Sequence, residues 1–124
     1  MKSKGEIEAA ICDGIIRFEQ ECRGRGPKTI RAYLFDDFIV VRQQGLLTLA
    51  EQQLAKVPSD SRGRDLLKQV RVHLVETAKP LLQAMIKDIT GVKVISVHHD
   101  ISTVTGEAFF NFTLAEAPVY RQMK

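Results

Sequence analysis

The stretch TIRAYLFDDFIVVR, residues 29–42, decides the fold. It is rich in β-branched and aromatic residues, the types that suit a pleated, half-buried surface. Asp36-Asp37 at its middle reads as a tight hairpin turn, although the usual glycine is missing. That turn pairs Phe35 with Phe38, Leu34 with Ile39, Tyr33 with Val40, Ala32 with Val41 and Arg31 with Arg42. Side chains alternate across a strand, so the register divides the faces. Ala32, Leu34, Ile39 and Val41 share one face. Tyr33, Phe35, Phe38 and Val40 share the other, with Arg31 opposite Arg42. Like charges so placed repel. An acid from a partner, a bound anion or splaying into water has to offset them.

Outward from the hairpin the pattern turns helical. Residues 6–22 carry Ile7, Ala10, Ile11, Gly14, Ile15 and Phe18 at three- and four-residue steps, one face of a helix. Glu6 and Glu8 suit the positive end of its dipole, and Gly24, Gly26 and Pro27 stop it. Residues 48–55 read as a short helix, with Thr48 as N-cap and Glu51 completing a capping box. Residues 58–63 read as a loop. Residues 64–89 read as a long helix with an apolar stripe of Leu67, Val70, Leu74, Ala78, Leu81, Met85 and Ile89. Pro80 inside it predicts a kink or a restart. After Gly91 a second hairpin follows, 92–104 with 107–114, turning at Thr105-Gly106. Its pairing sets Ile101 against Phe110, Asp100 against Asn111 and His99 against Phe112. Ile95, Val97, Ile101, Phe110, Phe112 and Leu114 form its apolar face, and His98, Asp100, Ser102, Asn111 and Thr113 its polar one.

The fold class is therefore α+β: helix, hairpin, helix, helix, hairpin, with a four-stranded, mostly antiparallel sheet covered by helices on one face. Two helix-then-hairpin halves suggest a weak internal repeat. The 124 residues fit one domain, 1–124, with its core at about 6–114 and a loosely ordered tail at 115–124. The uncovered face would expose Tyr33, Phe35, Phe38, Val40 and Phe109, an apolar patch that predicts a partner surface and, by default, a homodimer.

Composition narrows the function classes. A 44% hydrophobic and 27% charged chain is ordinarily globular, and a net charge of +3 permits anionic partners without requiring them. That small excess, with few aromatics, argues against nucleic acid as a partner. No apolar run nears the roughly 20 residues that cross a bilayer, so direct membrane insertion is not expected. No apolar segment follows Met1–Gly5, so export is not expected and the chain is placed in the cytoplasm. Cys12 and Cys22 lie ten residues apart on one helix, too far to pair, and read as small buried residues.

Candidate chemistry is sparse. Arg23, Arg25, Lys28 and Arg31 fall together with no acid among them. Beside a solvated connector, the other reading is an anion or acidic-partner site at Arg25, Lys28, Arg31 and Arg42. The glycine and lysine spacing is not that of a Walker loop. His98, Asp100 and Ser102 share a strand face but lie about 6.5–7 Å apart along it, too far for a triad. His99 points to the opposite face, so His98, His99 and Asp100 do not form a metal site. No metal and no cofactor is implied, and no constellation supports an enzyme. The contact-face candidates are Tyr33, Phe35, Phe38, His98, Asp100, Ser102 and Phe109.

Gly24-Arg25-Gly26-Pro27, then Asp37, then Leu47-Thr48-Leu49-Ala50-Glu51, then the run from Gly91 through His98–Glu107 are together similar to the MpsC family. The resemblance spans about Glu6 to Leu114. It implies an accessory part in a membrane-potential-generating system, with a membrane transporter complex as partner and a setting of sodium or proton flux and inorganic-carbon supply. The protein would then lie peripheral to the inner membrane through that partner. The resemblance carries no catalytic residue. It leaves two readings: a non-enzymatic cytosolic accessory module, or a small-anion sensor using the basic loop after the first helix.

Overall fold

The computed structural model describes residues 1–57 and 60–122. Pro58 and Ser59, within the predicted loop, and Met123 and Lys124, in the predicted tail, lie outside the described residues. The elements are α1 (Lys4–Arg23), β1 (Thr29–Phe35), β2 (Phe38–Gln44), α2 (Leu49–Ala55), α3 (Arg62–Thr90), β3 (Val94–Ile101) and β4 (Ala108–Leu114). The sheet order is β1-β2-β4-β3 and every neighbouring pair is antiparallel. The two hairpins thus meet through β2 and β4, each with its own helix: α1 packs on β1 and α3 on β3. This is the α+β arrangement that the patterning predicts. The core lies between the helices and the inner sheet face, around Ile7, Ile11, Ile15, Leu34, Ile39, Val75, Leu82, Ile86, Phe110 and Phe112.

The first hairpin keeps the predicted register from Phe35↔Phe38 to Arg31↔Arg42 and extends it to Thr29↔Gln44. Asp36 supplies the left-handed backbone of the turn, at φ 49; aspartate tolerates that region better than most residues. α1 starts two residues earlier than expected because Ser3 forms a capping box with Glu6. The Thr48–Glu51 capping box of α2 forms as predicted. Gly24 and Gly91 end α1 and α3 in left-handed C-caps.

Four expectations are corrected. α3 neither stops nor restarts at Pro80, which is exposed and lies within one continuous helix. The face of α3 that is buried runs through Leu67, Arg71, Val75, Leu82 and Ile86, whereas Val70 and Leu81 are exposed. The second hairpin pairs two residues out from the expected register, with Ile101↔Ala108, Asp100↔Phe109 and His99↔Phe110, because the turn is not a two-residue one. Residues 102–107 form a longer loop, in which the Ser102 hydroxyl accepts the amides of Val104 and Thr105. Finally, a β-bulge between Val94 and Ser96 puts Ile95 on the outside, 61% exposed, while Val94 and Val97 stay in the core.

Residues 115–122, expected to be loose, are tied back at several points. The amide of Ala115 donates to the Lys93 carbonyl, that of Arg121 donates to the Lys2 carbonyl, and Tyr120 packs on the core. Arg121 also bridges in parallel to Ser3 and pairs with Glu6 at 2.8 Å.

Candidate functional site

The outer sheet face is laid out in cross-strand rows. Tyr33, Val40, Asn111 and His98 form the middle row; Arg31, Arg42, Phe109 and Asp100 lie on one side of it, and Phe35, Phe38, Thr113 and Ser96 on the other. The aromatic rings cluster at the β1–β2 end. Tyr33 stacks on Phe35 with centroids 6.1 Å apart, and Phe35 meets Phe38 at 5.4 Å. All three rings, and Phe109, remain 37–46% exposed. β1 is an edge strand, and α1 covers part of that edge: the Leu34 amide donates to Glu8 Oε2 at 2.8 Å.

The four basic candidates do not act as one cluster. Arg25 donates to the Gly45 carbonyl at 3.1 Å. Arg42 donates to Glu107 Oε2 at 2.7 Å, and this acid from the β3–β4 loop offsets the Arg31–Arg42 opposition within the chain. Arg31 has no ion pair among the described residues. Lys28 lies along Gly45 and borders a cavity of about 270 Å³.

The polar candidates also separate. Asp100 turns to the Ile101 amide at 2.8 Å and to Lys68 Nζ at 3.3 Å. The Ile101 amide chiefly, with Lys68, holds its carboxyl below the usual range. Ser102 has left the strand and serves the loop, so it shares no face with His98 and Asp100. His99 points inward as predicted, against Phe110 at 6.4 Å, with Nδ1 buried and unpartnered. Burial pushes its pKa down, against the pull of Glu76. Among the described residues no group of three or more His, Cys, Asp or Glu is placed to hold a metal.

Sequence reasoning missed the most polar part of the interior. Glu19 of α1 and Arg71 of α3 form a bidentate pair at 2.6 and 2.7 Å, and Gln43 of β2 donates to Glu19 Oε2 at 2.7 Å. All three are buried. The Arg71 guanidinium also lies over the Phe110 ring, 5.3 Å from its centroid. The signal was present in the sequence: Glu19 falls four residues after Ile15, and Arg71 four after Leu67, so each interrupts an apolar stripe. Arg71 lines a groove of about 280 Å³ with Leu47, Leu67, Val70, Leu74 and Ile101. Arg23 closes the groove's rim by donating to the Leu46 carbonyl and pairing with Glu51. Burial alone would raise Glu51, but the Thr48 amide and Arg23 outweigh it and hold the carboxyl low. Cys22 also borders this groove and is exposed rather than buried; Cys12 is half-buried, and both are free thiols. In each case burial pushes the thiol pKa up.

Among the described residues no helix is long and apolar enough to cross a membrane. No solved structure matches the chain. A Bacillus subtilis (strain 168) protein, "Uncharacterized protein YbcI", is 38% identical over 113 residues, covering 91% of this chain and 89% of the relative. Residues 3–116 match the family model described as Na+-translocating membrane potential-generating system (MpsC). With nearly its whole length matched, this chain belongs to the MpsC family.

Proposed function

We propose that the protein is a non-enzymatic accessory module of a cation-translocating, membrane-potential-generating system. In this reading it is cytosolic, reaches the membrane through a protein partner, and works as a homodimer joined through its outer sheet faces. The family description supports the setting. The observation that carries the reading is the ring cluster of Tyr33, Phe35 and Phe38, with Phe109 beside it, left uncovered by any helix. Burying the exposed part of each ring would contribute on the order of 1–2 kcal/mol.

The rows suit a second copy. A two-fold axis lying across the strands at the middle row sets Arg31 over Phe35 of the second copy and Arg42 over its Phe38. Each arginine would then meet a ring face rather than another arginine. On this axis Val40 meets Val40 of the second copy. Sedimentation equilibrium should report a dimer, and the Phe35→Ser/Phe38→Ser double variant a monomer with unchanged secondary structure. Val40→Cys, in a chain with Cys12 and Cys22 replaced by serine, should cross-link under mild oxidation. A wild-type monomer at all concentrations defeats the dimer. Failure of the protein to recover a membrane transport component by cross-linking in its own cells defeats the accessory role.

The other reading, a small-anion sensor built on Arg25, Lys28, Arg31 and Arg42, has a narrower basis. Arg25 and Arg42 are occupied by Gly45 and Glu107, which leaves Lys28 as the member bordering a cavity.

A further inference from the structure

Three segments distant in sequence meet at one cavity of about 270 Å³: Lys28 from the α1–β1 connection, Gly45 to Lys56 from the β2–α2 region, and Thr103 to Gly106 from the β3–β4 loop. Its charged lining residues are Lys28 and Lys56, and no carboxylate lines it. Among the described residues neither lysine has an ion-pair partner. Both lysines are exposed at the cavity wall, and each can turn its ammonium onto a ligand of charge −2 seated there.

The remaining walls suit such a ligand. Thr105 Oγ1 already accepts the Glu107 amide at 3.2 Å, so its hydroxyl hydrogen is free to donate. Thr103 adds a second hydroxyl to the lining. Gly45 has left-handed backbone at φ 68, and a Cβ there would come within 2.7–2.8 Å of the Lys28 stem. The bare glycine lets that stem lie flat at the cavity wall.

We propose that this cavity binds a small oxyanion dianion, a phosphate-type group held between Lys28 and Lys56 with the Thr103 and Thr105 hydroxyls. The site stands apart from the outer sheet face and holds whether or not the accessory reading does. It shares only Lys28 with the basic set predicted from sequence.

The test is titration of the 15N-labelled chain with inorganic phosphate, at constant ionic strength against chloride. Saturable shifts should concentrate at the amides of Gly45 and residues 103–106. Lys28→Gln and Lys56→Gln should each weaken binding about tenfold, and Lys87→Gln, at the end of α3, should not. A phosphomonoester arm distinguishes the sources: tighter binding of the ester assigns the remaining space to an organic group, and equal binding assigns the site to the free ion. Shifts that match chloride, fail to saturate or scatter over the surface overturn the proposal. So does unchanged affinity in the Lys28→Gln/Lys56→Gln double variant. Should that variant not fold, the wild-type shift map decides.

Discussion

At the scale of single residues, the Glu19–Arg71 pair is an ion pair buried on both sides. Two charges withdrawn from water cost several kcal/mol each and are tolerated because Gln43 and the bidentate geometry satisfy them. Removing one partner strands the other. Arg71→Leu or Glu19→Leu alone should cost about 3–5 kcal/mol in denaturant unfolding, whereas replacing both together with Gln43→Leu, whose amide otherwise loses its partner, should recover most of that loss. Glu51 gives a pH signature. Its folded pKa lies below its ordinary value of 4.5. Its contribution is therefore complete above that value and is lost as the pH falls through the lowered one. Melting curves below pH 4.5 should show a steeper loss for wild type than for Glu51→Gln, which lacks this proton uptake. Glu19 and Arg71 were each legible as a charge interrupting an apolar stripe but not as a pair, because periodicity marks which positions are buried and not which charges will find each other there.

Elements were legible where local chemistry speaks alone. The first hairpin and the α2 capping box follow from residues within a few positions of one another. The β3–β4 register did not, since Thr105-Gly106 looks like a turn while the Ser102 hydroxyl organises a longer loop. The two-residue slip is even, so it preserves the faces of the paired residues; only the bulge at Val94/Ser96 moves Ile95 outward. Pro80 was misjudged because sustained burial of Val75, Leu82 and Ile86 holds α3 together across the missing hydrogen bond. Its side chain is exposed, so Pro80→Ala should restore that bond without leaving a cavity and stabilise the protein by up to about 3 kcal/mol. Thermal unfolding measures this directly.

For the whole molecule, the layer order was readable because one sheet face is mostly apolar, with Gln43 and His99 as exceptions, and needs two helices to cover it. The meeting of three separate segments around Lys28 and Lys56 was not, because nothing within any one segment announces the others. If the outer faces pair as proposed, unfolding is coupled to dissociation. The melting temperature should then rise with protein concentration, and Phe35→Ser/Phe38→Ser should abolish that dependence. The parallel bridge between Ser3 and Arg121 has a further consequence. It brings the start and finish of the described polypeptide side by side, so the backbone is almost a closed ring. A short graft between Ser3 and Arg121 could join them and new ends could be opened elsewhere.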